Sequence, residues 1–146
     1  MAGVRLTLDT TQADQLFREL ERVLKDTGPL LQEVGEIARS QALDAFEAQA
    51  SPAGEAWQPS RRAEAEGGQT LLDTGLLRGS LFVELAGDEV WVGSNRLYAA
   101  IHQFGGQAGR GRKVTIPARP YMPDEDSLDL AAIEDAARDY LAEALP

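Results

Sequence analysis

The chain has 146 residues, a formal net charge of −10 and no cysteine. Such a length suits one domain that buries about 70% of the surface of its unfolded chain, and we predict a single domain over 1–146. The lack of cysteine excludes disulfides and thiolate metal sites, and no apolar run reaches the roughly 20 residues of a membrane helix. The acidic balance argues against a protein whose main role is to grip a nucleic-acid backbone. We expect a protein without membrane contact or signal peptide, made in a reducing cytoplasm.

The N-terminal third predicts a strand and two amphipathic helices. Apolar and polar residues alternate over 4–8, as in a half-buried strand. Thr10 or Thr11 can cap a first helix that ends near Gly28, and Pro29 suits the first turn of a second helix. The apolar stripes of both helices are typical of core packing.

The segment 49–70 lacks regular periodicity and is rich in Ala, Gly, Pro, Glu and Arg. A connection of that length in a compact domain is usually functional or disordered. Trp57 within it is most simply an anchor that folds this long loop onto the domain by burying its indole. The alternative is a contact with a partner protein, so Trp57 is also a candidate partner-binding residue.

The elements that follow complete an α+β fold. Residues 71–80 predict a short helical turn, and 81–92 a β-hairpin that reverses at Gly87 and Asp88. Both faces of the first hairpin strand are apolar, so the hairpin lies mid-sheet or is covered by another subunit. A last helix, starting in 124–127, is expected to pack on the sheet. The predicted architecture is a small antiparallel or mixed sheet with an N-terminal helical pair and this C-terminal helix against it.

The prediction of function centres on the stretch 98–121, which reads YAAIHQFGGQAGRGRKVTIPARPY. Asn95 is expected to cap a short helix that Gly105 ends. Three apolar residues recur at helical spacing and should form its buried face: Leu97, Ile101 and Phe104. Tyr98 and His102 share a flank of this helix, one turn apart.

Residues 105–113 should form a flexible basic loop, because they are Gly-rich, contain no acid and cannot build a core. A strand is expected at 114–116, after which Pro117 and Pro120 stiffen the chain around Arg119. Four cations and no acid give 107–121 a charge of +4, which leaves −14 for the rest of a chain whose total is −10. This asymmetry suits binding to the acidic body of a neighbouring subunit, or to DNA. The candidate partner-binding residues are Arg110, Arg112, Lys113, Arg119 and Trp57.

Three motifs together resemble the phage virion morphogenesis family, the tail completion proteins of Mu-like and P2-like tailed phages. They are SPAGEAWQPS at 51–60, LLDTGLLRGSL at 71–81, and YAAIHQFGG followed, after the basic gap, by IPARPYM. The resemblance extends from about Phe46 to the C-terminal helix. The residues that carry the last motif are Tyr98, His102, Gln103, Phe104, Gly105, Pro117, Arg119 and Pro120.

The resemblance implies a structural protein of a tailed phage or prophage, without cofactor or enzymatic activity. Its expected role is tail completion or head–tail joining at the neck or tail of the virion, after assembly in the host cytoplasm. We also expect a homo-oligomeric ring that contacts other neck, connector or tail-tube proteins.

Two other functions stay open. One is a DNA-contacting connector component that uses the basic loop. The other is a small hydrolase in which Asp73 and His102, or Asp124 and Asp126, act as acid and base. Such pairs arise by chance in an acidic chain, and His102 is the sole histidine, without HExxH, Walker or nucleophile-elbow motifs. We expect the His102 side chain to hold its helix to the next loop by a hydrogen bond.

Overall fold

The computed structural model describes residues 5–145, which form six α-helices, one 3-10 turn and two separate two-stranded antiparallel sheets. The predicted α+β class is confirmed. In chain order the elements are α1 (Thr11–Lys25), α2 (Gly28–Ala48), α3 (Arg61–Glu66), α4 (Leu76–Gly79), β1 (Leu81–Ala86), β2 (Glu89–Ser94), α5 (Ala99–Phe104), β3 (Gly106–Ala108), the 3-10 turn (Arg110–Arg112), β4 (Val114–Ile116) and α6 (Leu130–Ala144).

The N-terminal strand predicted over 4–8 is wrong for residues 5–8, which have no regular structure, and residue 4 lies outside the described residues. Leu6 and Leu8 are 83% and 74% exposed. A strand needs a neighbour for its backbone groups, and the alternating pattern alone does not supply one. The helix predicted next is present, and its entry is fixed by the Asp9 carboxylate, which accepts hydrogen bonds from the Thr11 N–H and hydroxyl.

Helix α2 is the central element, since it packs on the β1–β2 hairpin and against α6. Gly35 allows the close approach of helix and hairpin. A Cβ at this position would come within 2.4 Å of Val83 Cγ1 and 2.7 Å of Val90 Cγ2. Any larger side chain would therefore force the hairpin away from α2.

The main core forms around the C-terminal end of α2. Phe46 is fully buried, and its ring centroid lies 5.6 Å from that of Trp57 and 5.2 Å from that of Tyr121. The other members of the cluster are smaller or aliphatic: Ala42, Ala45, Leu77, Leu81 and Ala99. Segments distant in sequence are thus held together by one aromatic centre.

The β1–β2 hairpin has the predicted turn and pairs from Leu81↔Ser94 to Ala86↔Glu89. It does not lie mid-sheet, because no third strand pairs with it among residues 5–145. Helix α2 covers one face. The other face leaves Phe82 38% and Trp91 59% exposed.

Helix α6 begins later than predicted and has different neighbours. The Asp129 carboxylate caps it by accepting from the Ala132 N–H at 3.0 Å, while Asp124 and Ser127 form a separate turn. Its main contacts are with α2 and α1. The sheet face expected to receive α6 is already covered by α2. In the described part of the chain, no helix is both long and apolar enough to cross a bilayer.

Candidate functional site

The segment 117–122 returns beside α5 and is held there largely by one side chain. Gln103 Oε1 accepts hydrogen bonds from the backbone N–H groups of Tyr121 and Met122, each at 3.0 Å. The Tyr121 hydroxyl donates to the Ala99 carbonyl at 3.0 Å. Pro117 and Pro120 have no backbone N–H, so this segment cannot pair with a strand along its whole length. The side chain of Gln103 accepts the hydrogen bonds of its N–H groups at Tyr121 and Met122.

Trp57, in the long loop 49–70, packs against the return segment 117–122. It is 6% exposed, and its indole N–H donates to the Pro120 carbonyl at 2.9 Å. The anchor interpretation fits this geometry, whereas a direct partner contact does not. We call α5, the return segment 117–122 and Trp57 the clamp.

The loop 49–70 is held closed by hydrogen bonds between its first and last residues. Gln49 Oε1 accepts from the Thr70 N–H at 2.6 Å, and Gln49 Nε2 donates to the Thr70 carbonyl at 3.0 Å. Residues 61–66, within the segment that lacks regular periodicity in sequence, form α3, whose N-terminus is capped by the Ser60 hydroxyl.

Gly105 is required where α5 meets the return segment. Its φ is +72°, and a Cβ there would lie 2.7 Å from the Ala118 nitrogen and 2.9 Å from the Ile116 oxygen. The backbone conformation and the close approach both exclude a side chain.

Arg119, which was grouped with the cations of the basic loop, lies within the fold and not on that loop. It is 6% exposed, its Nε donates to the Gln58 carbonyl at 2.7 Å, and its backbone N–H donates to the His102 carbonyl at 2.8 Å. Burial lowers the pKa of Arg119. Because an arginine stays protonated in proteins, the group remains a cation.

Of the three residues expected to form the buried face of α5, two are exposed and Ile101 is half-buried. Leu97 is 101% and Phe104 78% exposed, whereas Ala99 is buried. Asn95 does not cap the helix, whose N-cap residue is Tyr98 without a side-chain bond. The helix is oriented by Gln103 and the return segment, so the apolar spacing alone gave the wrong face.

The prediction that the His102 side chain holds the next segment is wrong. His102 holds the return segment through its backbone carbonyl. Its ring packs edge-on against Tyr98 with centroids 6.0 Å apart. Its buried Nδ1 has no hydrogen-bond partner among the described residues. Burial, and then the charge of Arg119, lowers the pKa of His102.

The predicted basic loop forms the β3–β4 hairpin, with register Gly106↔Ile116 to Ala108↔Val114. The 3-10 turn at its end and the residue after it carry three exposed cations: Arg110, Arg112 and Lys113. Among residues 5–145 none of these three makes an ion pair. We call these three residues the basic tip.

The acid–base pairs considered from sequence are engaged elsewhere. Asp73 Oδ1 lies 3.7 Å from Arg62 Nη1, and Asp124 accepts hydrogen bonds from Ser127. The Ser60 hydroxyl, near the same cavity as His102, accepts from Ala63 as a helix cap. No cluster of three His, Cys, Asp or Glu side chains suited to a metal occurs in residues 5–145.

Tyr121 and the acceptor role of Gln103 were not anticipated. The signal for Tyr121 was an aromatic residue directly after a proline-stiffened segment. The role of Gln103 had no local signal, since its two donors lie 18 and 19 residues away.

Comparison with known proteins agrees with the motifs. The phage virion morphogenesis family matches residues 8–142. The chain is 36% identical over 136 residues to the Mu-like prophage FluMu G protein 2 of Haemophilus influenzae, which covers 89% of this chain and 94% of that protein. It is 33% identical over 138 residues to the putative capsid assembly protein G of Escherichia phage Mu, which covers 79% of this chain and 88% of that protein.

No solved structure matches the chain. The family match over most of its length and these two relatives show that the chain belongs to the phage virion morphogenesis family. The predicted resemblance is confirmed. This membership supports a structural role in phage assembly and an association with the virion.

Proposed function

We propose that the protein is a tail completion or head–tail joining subunit at the neck or tail of a phage or prophage virion, without enzymatic activity. The observation that carries this proposal is the division of the family motif into a closed clamp and a projecting basic tip. The clamp uses the Trp57 indole, the Gln103 side-chain oxygen and the Tyr121 hydroxyl internally, and its residues form no nucleophile–base pair among residues 5–145. The tip leaves its cations free for a partner.

In this proposal copies of the chain form a ring, and the tip binds an adjoining subunit or another neck, connector or tail-tube protein. The segment 107–121 carries +4 and the rest of the chain −14, so that one copy is electrostatically complementary to the body of the next. Exposed apolar side chains supply further contact area: Leu97, Phe104, Phe82 and Trp91. In this proposal the charges of the tip orient the partner and speed its association, and the apolar side chains strengthen the binding.

The test replaces the basic tip in the phage or prophage that encodes the chain. The triple variant Arg110→Gln, Arg112→Gln and Lys113→Gln removes three charges from exposed positions. We expect separate heads and tails to accumulate in electron micrographs while the protein stays folded.

A matched control removes the same number of charges from the exposed N-terminal region, through Arg5→Gln, Arg18→Gln and Lys25→Gln. It should leave joined particles at the wild-type level. Equal yields of joined particles from both triple variants would contradict the proposed role of the tip.

The free cations of the tip also favour a second candidate, contact with DNA that passes through a connector. If three phosphates are neutralised, the logarithm of the affinity for duplex DNA should fall with the logarithm of salt concentration with a slope of about −2.7. Filter binding at low salt distinguishes the two candidates. Tip-dependent binding with that slope would favour DNA, and its absence would leave the protein partner.

A further inference from the structure

A cavity of about 340 Å³ lies between α5, the segment 71–77 and the return segment. One part of its wall is apolar: Leu71, Leu77 and Ile116. Another part carries charged or titratable groups: Arg62, Asp73, His102 and Arg119. The cavity therefore combines an apolar surface with hydrogen-bond donors, which is the composition of a selective ligand site.

The guanidinium of Arg119 is the main reason to assign a ligand to this cavity. Arg119 is 6% exposed, and the bond from its Nε to the Gln58 carbonyl is its one side-chain hydrogen bond within residues 5–145. Its two terminal nitrogens make neither a hydrogen bond nor an ion pair there, and they are not fully enclosed, so a ligand in the cavity can reach them. Because a buried charge loses its hydration, such groups are normally paired or fully hydrogen-bonded.

The neighbouring groups distinguish Arg119 from the other cation of the cavity. Arg62 Nη1 already lies 3.6 Å from Glu66 and 3.7 Å from Asp73. His102 Nδ1 is buried without a hydrogen-bond partner among the described residues and can serve as a second donor when protonated. Arg119 and His102 thus both line the cavity and both have side-chain nitrogens that bond to no other described residue.

We propose that this cavity binds the carboxylate of an acidic side chain carried by another protein subunit, with its methylene groups against Leu71 and Leu77. A planar guanidinium matches a carboxylate with two parallel N–H···O bonds. The apolar wall favours a side chain with a short hydrocarbon stem. Nucleic acid fits less well, because one wall of the cavity is apolar and the whole chain carries −10. This inference is independent of the role proposed for the basic tip.

The test follows the His102 ring by NMR in the full chain, where it is the sole histidine and its signals are unambiguous. Isovalerate serves as the probe, since it is a carboxylate on a branched apolar stem, and isovaleramide is the neutral control of the same shape. We expect saturable shifts with isovalerate, at a dissociation constant on the order of millimolar for a ligand this small. Isovaleramide should leave the ring signals unchanged.

The same titration measures the pKa of His102 with and without isovalerate. The charged groups that line the cavity with the ring are Arg62, Asp73 and Arg119. A bound carboxylate stabilises the imidazolium, so the pKa of His102 should rise when the probe is present. If His102 and Arg119 only support the fold and no carboxylate binds, the pKa of His102 will be the same with and without isovalerate.

Arg119→Lys keeps the charge and removes the planar fork, and we expect it to weaken isovalerate binding about tenfold. Arg138→Lys on α6, an exposed arginine far from the cavity, is the matched control and should bind as the wild type does. If Arg119→Lys does not fold, the pKa measurement on the wild-type chain decides. The inference is overturned if isovalerate and isovaleramide act alike, or if inorganic phosphate or a short DNA duplex displaces isovalerate from the ring at lower concentration.

Discussion

The basic tip and the clamp, apart from Trp57, lie in one continuous stretch of sequence but differ in exposure and in bonding. In the clamp, Trp57, Arg119 and Tyr121 are each less than 10% exposed, and their polar atoms bond mainly to backbone groups of the same chain. In the tip, three cations project from a short hairpin without an ion pair in the described residues. The comparison teaches that most of the motif specifies a scaffold, while its exposed basic insert is the part suited to a protein partner.

The largest expected contrast is between the two tryptophans. Trp57→Ala removes a core ring and its hydrogen bond to Pro120, so it should lower the free energy of unfolding by about 3–5 kcal/mol. Trp91→Ala changes a side chain that is 59% exposed and should cost less than about 1 kcal/mol. Urea denaturation of both variants measures the difference. Similar losses would show that Trp57 is not the anchor of the long loop.

The next effect concerns glycine at the junction of the clamp. Gly105→Ala introduces a Cβ that meets backbone atoms at 2.7 and 2.9 Å, so the expected loss of unfolding free energy is about 2–4 kcal/mol. Gly54→Ala is the matched control, because φ is +93° there and no other atom lies within 4 Å of its Cβ. It should lose only about 1–2 kcal/mol from backbone strain. Thermal melting of the pair separates strain from steric overlap, and a smaller loss at residue 105 would contradict the close approach.

A smaller loss should follow removal of the acceptor in Gln103. Gln103→Ala leaves two backbone donors of the return segment without a partner and should cost about 1–3 kcal/mol. Gln107→Ala, in the exposed first strand of the tip hairpin, should change stability by less than about 0.5 kcal/mol. Amide hydrogen exchange would locate the effect, with faster exchange at Tyr121 and Met122 in the first variant. Unchanged exchange at those two amides would argue against the clamp.

The smallest effect is a pH dependence from His102. Burial and the charge of Arg119 lower its pKa in the folded chain, so the unfolded chain binds a proton first as pH falls. Stability should therefore decrease relative to a His102→Gln variant as pH drops through the unfolded value of 6.5. Urea midpoints of both proteins at pH 8 and pH 5 test this sign. A stability difference that grows in favour of the wild type at low pH would contradict it.

Local patterns predicted the elements whose structure depends on nearby residues. The helices that became α1 and α2 follow from periodicity and from Pro29 in the first turn of α2, although the expected side-chain cap of α1 by Thr10 or Thr11 is absent. The β1–β2 hairpin follows from alternation around Gly87. Local patterns gave wrong predictions where contacts between residues distant in sequence determine the structure. Residues 5–8 found no partner strand, and α5 was oriented by Gln103 and the return segment, which left Phe104 exposed.

The candidate site was predicted unevenly for the same reason. A single large aromatic in a polar loop was enough to indicate that Trp57 could anchor it. Charge alone placed Arg119 with the three cations of the tip, although the intervening β4 strand and prolines carry it into the fold. Exposure is a property of the folded chain, so counting cations along the sequence could not separate the buried Arg119 from the exposed cations of the tip.

Chemical accessibility at the tip tests most directly the claim that the clamp is scaffold and the tip is contact surface. The chain lacks cysteine, so Lys113→Cys introduces a unique thiol at an exposed position. Its alkylation rate is measured in the purified protein and in intact particles that contain it, with Lys25→Cys on α1 as the comparison. The account predicts rapid alkylation of residue 113 in the free protein and strong protection in the particle. Equal alkylation of residue 113 in both states would contradict it.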